Sequence, residues 1–141
     1  MFDKSEVDRL RAWHNFRTNL ETADDPLQDT IDLYNRAPLV SIVMDPWDQE
    51  TWLDPWELLT ENQYCEFSLV LAIGYTLSLT DRFKDTPKEI HICTNKEIAE
   101  TKYLLYIGDK VIGYDRHTSI NKDEIGAEWV AEKVYAVPTY Q

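Results

Sequence analysis

Asn62-Gln63-Tyr64-Cys65-Glu66-Phe67-Ser68-Leu69-Val70-Leu71-Ala72-Ile73-Gly74-Tyr75-Thr76-Leu77-Ser78-Leu79 is the stretch on which the fold of this chain turns. Phe67, Val70, Leu71, Gly74, Tyr75 and Leu77-Ser78 make the helix from Tyr64 to Leu79 apolar on most sides. A helix apolar on most sides is a buried one, and this run is too short to cross a bilayer. It is therefore the central helix of a globular core. Gly74 costs helix propensity, so it marks close packing with another element. Cys65 stands at the first turn, where backbone N–H groups and the helix dipole favour a thiolate.

Upstream, Asp-Pro occurs three times: Asp25-Pro26, Asp45-Pro46 and Asp54-Pro55. Each reads as a helix start, with aspartate as cap, proline at the first position and Gln28, Asp48 or Glu57 at the third. Ser5 is expected to cap a first helix running to about Leu20, with Val7, Leu10, Trp13 and Leu20 on its apolar stripe. A second helix is predicted over Pro26 to Arg36, and a short one over Trp56 to Glu61. Leu39 to Met44 reads as a strand or an extended arm. This divides the chain into an N-terminal helical arm, 1–44, and a main domain, 45–141.

Beyond the polar loop Thr80 to Lys88 the apolar period changes to two. Strands are predicted at Glu89 to Thr94, Lys102 to Ile107 and Lys110 to Tyr114, the last two joined by a tight turn at Gly108-Asp109. A final helix is expected over Ala127 to Lys133, then an apolar tail to Val137. The fold class that follows is α+β, a central buried helix packed on a small antiparallel sheet and preceded by N-terminal helices.

The 141 residues suit one domain, and 43% apolar content is that of a folded chain. A formal charge of −12 repels phosphate backbones and anionic membranes, which argues against both as partners. Cys65 and Cys93 lack metal-ligand spacing, and Met1 to Asp8 lacks the apolar run of a signal peptide. Asp45, Asp48, Glu50, Asp54 and Glu57 do not follow the spacing of a calcium loop, and capping accounts for most of them. With four glycines and no phosphate-cradling loop, neither metal nor cofactor is expected.

A helix-borne cysteine, a strand, then a hairpin that ends on an aspartate is the chain order of the transglutaminase-like branch of papain-like folds. The resemblance covers about Trp56 to Asp115 and rests on Tyr64-Cys65-Glu66-Phe67 and Lys110-Val111-Ile112-Gly113-Tyr114-Asp115. It implies a cysteine at Cys65, a histidine near Thr101 or Lys102, and an aspartate at Asp115. No histidine stands there. Lysine is protonated at neutral pH and makes a poor general base, so Cys65, Lys102 and Asp115 read as vestigial positions. His91 alternates away from its apolar neighbours, His117 sits in a loop and His14 in the first helix.

Asp45-Pro46-Trp47, Trp56-Glu57-Leu58-Leu59, Asn62-Gln63-Tyr64-Cys65 and Ala72-Ile73-Gly74-Tyr75-Thr76-Leu77 are similar to small proteins of tailed phages, particularly those of cyanobacteria. That resemblance implies a structural component of a virion, in tail, neck or baseplate, assembled in the host cytoplasm and present in many copies. Trp13, Trp47, Trp52 and Trp56 are then the expected partner-binding residues, since aromatic side chains dominate interface hot spots. The expected function is non-catalytic docking on neighbouring subunits. Its alternatives are a cysteine hydrolase or acyltransferase using Cys65, and a small regulator that binds a host protein.

Overall fold

The computed structural model describes residues 1–140; Gln141, the last residue of the expected main domain, lies outside them. Four helices, α1 (Glu6–Leu20), α2 (Pro26–Tyr34), α3 (Pro55–Glu61) and α4 (Glu66–Ser78), precede five strands. These are β1 (Lys88–Asn95), β2 (Glu100–Ile107), β3 (Lys110–Ile112), β4 (Ile120–Asn121) and β5 (Val130–Ala136). They form one antiparallel sheet in the order β4-β3-β2-β1-β5. The α+β architecture expected from the sequence is present.

The central helix is buried because it has no side to give to water. Phe67, Leu71, Tyr75 and Leu77 are each at most 1% exposed. One flank of α4 meets Leu105 and Val137 of the sheet side, where a Cβ on Gly74 would press on Val137 at 3.3 Å. The other flank meets the N-terminal helices. Trp13 of α1 is 2% exposed and its indole Nε1 donates to Thr76 Oγ1 at 3.0 Å. The Tyr34 hydroxyl of α2 lies 2.9 Å from the same oxygen.

The segment 1–44 is therefore not an arm beside a separate domain. Leu20, Ile31, Leu33, Tyr34 and Met44 belong to the same core as Phe67, Leu105 and Val137. Arginines lock it in place at helix ends, where carbonyls lack partners. Arg9 of α1 donates to Leu59 O and Thr60 O near the C-terminus of α3, and Arg82 to Leu20 O and Ala23 O at the end of α1.

Two of the three Asp-Pro starts behave as expected. Asp25 caps α2 through Gln28 N, and Asp54 forms a reciprocal capping box with Glu57 on α3. Asp45-Pro46 does not begin a helix. Asp45 closes a turn on Trp47 N, and Asp48 starts a single 3₁₀ turn, Gln49–Thr51. Trp52 follows, drawn into the core between the rings of Phe67 and Tyr135, which leaves no length for a helix before Asp54.

The expected helix over Ala127 to Lys133 is also corrected. Val130–Ala136 is strand β5, antiparallel to β1. Ala, Glu and Lys favour helix locally, but β1 offers an edge whose backbone groups need partners, and tertiary pairing outweighs the propensity. Leu39 to Met44 is the extended alternative, its backbone paired where Val40 N donates to Tyr64 O and Tyr64 N to Pro38 O, and its end held by Met44 in the core.

Trp13→Ala is expected to destabilise the whole chain by about 3–5 kcal/mol in denaturant titration, because it empties a core site and removes one of the hydrogen-bond partners of Thr76. A second expectation concerns alkali. Burial pushes the Tyr34 phenol up to about 12, and burial raises Tyr64 and Tyr75 as well. A raised pKa means the native state holds protons that the unfolded chain has released. Stability should be intact below pH ~10 and lost as pH rises through about 12. Phenolate absorbance of these three tyrosines should appear together with unfolding, not before it.

Candidate functional site

Two clefts flank the N-terminus of α4. The first, of about 710 Å³, lies between the extended segment Leu39 to Pro46 and the start of the helix, and Cys65, Glu66, Phe67 and Tyr103 line its inner wall. The second, of about 540 Å³, lies between β2, the turn after β3 and the end of α2. Leu39, Glu66 and Tyr103 line both, so the clefts adjoin.

Cys65 is the N-cap of α4 itself, one residue ahead of the first turn. A thiol is a weak acceptor, and the cap is completed in reverse: Ser68 Oγ accepts from Cys65 N at 2.8 Å. The side chain is 5% exposed and faces the first cleft beside Tyr103. Burial pushes the Tyr103 phenol up, with Cys65, Glu66 and Asp45 adding to the effect.

The residues of the three-position pattern do not converge. On β2, Tyr103, Leu105 and Ile107 face α4, while Leu104 and Tyr106 belong to a smaller cluster on the other side of the sheet. Lys102 alternates with them. Its Nζ lies 5.4 Å from the ring centroids of both Tyr114 and Trp129, on the side away from Cys65. Tyr103, not Lys102, is the β2 residue beside the sulfur. Asp115 is exposed in the turn after β3, where its carboxylate accepts from His117 N at 2.8 Å.

No histidine lines either cleft among the described residues. His91 is stacked on Tyr106 at 4.0 Å and lies 3.3 Å from Glu89, on the sheet face opposite α4. His14 and His117 are exposed elsewhere. The clefts instead carry the carboxylates of Asp45, Glu66, Glu100 and Asp115, none of them in an ion pair among the described residues. No group of three or more His, Cys, Asp or Glu is placed to hold a metal, and no helix is long and apolar enough to cross a membrane, again among those residues.

Of the four tryptophans expected to bind partners, two are core. Trp13 and Trp52 are 2% and 8% exposed, and Trp52 Nε1 donates to Asp45 O at 3.2 Å. Their indoles do structural work because α4 needs cover on all sides. Trp47 is 52% exposed and Trp56 37%. Trp56 is held edge-on between Trp13 and Tyr140, whereas Trp47 has only its backbone anchored, through Tyr135 Oη at 2.8 Å. The residues missed from sequence are Leu39, Val40 and Ile42. Ile42 is 80% exposed, a β-branched apolar side chain in a segment without regular pairing.

Compared with protein-family models, curated proteins and solved structures, the chain matches none.

Both thiols should alkylate slowly near neutral pH and quickly once denatured, since Cys65 and Cys93 are 5% and 2% exposed and burial also pushes the Cys93 thiol up. Mass-resolved labelling at the two positions reads this directly. Fast native labelling confined to Cys65 would instead mark an activated nucleophile.

Proposed function

We propose that this chain is a non-catalytic docking protein, whose contact surface is the apolar rim of the first cleft. The observation that carries the reading is the run Leu39, Val40, Ile42 and Trp47. Leu39, Val40 and Ile42, 36–80% exposed, line one concave surface, and Trp47, 52% exposed, directly follows its lining residue Pro46. Contiguous exposed apolar groups around a cleft are the usual mark of an interaction site. The imidazole-free surroundings of Cys65 support the same reading against nucleophilic chemistry, which needs a base within hydrogen-bond reach of the sulfur.

The likeness to small phage proteins extends the proposal to partner and place. The partners are other protein subunits of a viral particle, and the chain is a tail, neck or baseplate component present in several copies. The carboxylates of Asp45 and Glu66 beside the apolar rim suit a partner surface of opposite charge, which fixes register more than it adds affinity. On this reading the transglutaminase-like order of elements serves as scaffold.

The test separates docking from folding. Ile42→Asp and Trp47→Ala change exposed side chains, so each should shift stability by no more than ~0.5 kcal/mol. Together they should remove the chain from purified particles, read by mass spectrometry of virions from a complemented deletion strain. Normal incorporation of a folded double variant would reject the rim as the contact surface. Activity lost on Cys65→Ser, with incorporation intact, would favour the hydrolase alternative.

A further inference from the structure

We infer that the second cleft receives an extended, basic segment of the partner as an added strand along the open edge of β2. This rests on the docking reading above and specifies how the partner is held. Strand β2 runs over Glu100–Ile107, but β3 pairs only with Leu105, Tyr106 and Ile107. Over Glu100 to Leu104 that side of β2 has no paired strand, and only Gly113 passes against the Tyr103 carbonyl, while the other side is fully paired with β1.

The hairpin fixes which backbone groups are left open. Ile107 and Lys110 flank a two-residue turn, so they form a hydrogen-bonded pair and Leu105 follows two residues on. The same alternation directs the polar groups of Tyr103 and Thr101 to the β3 side. Glu100, Lys102 and Leu104 point theirs toward β1. The Tyr103 carbonyl confirms the direction, because it is the atom that a Cβ on Gly113 would strike. Gly113, at φ 108°, bends the chain out of the sheet at this point. What remains facing the cleft is the Tyr103 N–H and both polar groups of Thr101. None of these bonds another backbone group among the described residues.

Around that edge is the rest of a peptide site. Ile31, Leu69, Val70, Ile73 and Ile112 form an apolar floor for alternate side chains of an inserted strand. Glu66 and Glu100 stand at the cleft with no cation paired to them, and Asp115 completes the acidic rim. Of the two cations present, Lys102 is turned onto the Tyr114 and Trp129 rings. Backbone pairing would provide affinity, the floor would select apolar side chains, and the acids would select lysine or arginine between them. A second copy of this chain, at −12, fits that rim poorly.

The probe is a fluorescein-labelled peptide of alternating lysine and valine, with the glutamate-valine peptide as charge control. Two further versions carry N-methyl groups on one or the other alternate set of backbone amides, which removes donors from one strand edge at a time. The lysine peptide should bind in fluorescence anisotropy, and the glutamate peptide should not. One N-methylated set should weaken binding roughly tenfold, as expected for one or two net hydrogen bonds, and the other should not. Thr101→Pro, tolerated on an edge whose N–H faces outward, should weaken it by a similar factor.

Amide exchange gives a readout that needs no substitution. The Thr101 and Tyr103 N–H groups should exchange fast in the free chain and become protected with the lysine peptide bound. Binding that ignores both N-methyl sets, leaves these amides unprotected and vanishes in Ile42→Asp would overturn strand addition while sparing the first-cleft docking surface. Equal binding of the glutamate peptide, or no binding of the lysine peptide, would also overturn it. The docking reading itself stands or falls separately, on particle incorporation of the rim variants.

Discussion

Everything in this molecule is arranged around one demand: helix α4 has no face that can be left in water. A single sheet covers one flank of a helix and leaves about half of it open, so a second layer is required. Here α1 and α2 are that layer. Thr76 shows how closely it is fitted, since its hydroxyl lies within hydrogen-bond distance of both the Trp13 indole and the Tyr34 phenol and also donates to Ala72 O. A polar group at the centre of an apolar helix is costly unless partnered, and both outside partners come from the first 44 residues of the chain. The N-terminal helices are thus a condition of the core.

The strongest signals in the sequence were those decided locally. The mostly apolar run, the Gly108-Asp109 turn and the Asp25 and Asp54 caps depend on neighbours within a few residues, and each appears where expected. What was not legible depended on distant partners. Glu128 to Lys133 has helical composition, and only the vacant edge of β1 makes it a strand. Trp13 and Trp52 look like Trp47 in sequence, yet burial separates them, because burial is decided by where the α4 surface still needs cover.

The site shows the same limit in sharper form. Leu104 and Leu105 are both fully buried, one on each side of the sheet, so the apolar pattern of β2 does not say which parity faces α4. A shift of one residue exchanges the two faces. The register with β1 and β3 resolves the choice: Tyr103 meets the sulfur, and Lys102 goes to Tyr114 and Trp129. The resemblance to transglutaminase-like domains concerns chain order, and order alone does not put three side chains on one face.

Protein edges are normally guarded, by charge, by bulges or by covering loops, because unpaired backbone recruits other strands. The outer edge of β5 follows that practice with Glu132 and Lys133 in mid-strand. The open part of β2 also carries Glu100 and Lys102, but the Lys102 ammonium is turned onto the Tyr114 and Trp129 rings. Continuing β3 four residues further, to Arg116 opposite Thr101, would close most of it, and Tyr114 is a residue type that favours strands. It is Gly113, with a left-handed φ and no Cβ to clash with the Tyr103 carbonyl, that turns the chain aside. The departing segment is then fastened to α2, as Asn35 donates to Arg116 O and Gln28 to His117 O. An edge left open by this turn, beside an apolar floor and unpaired acids, is the surface that the proposed strand addition would use.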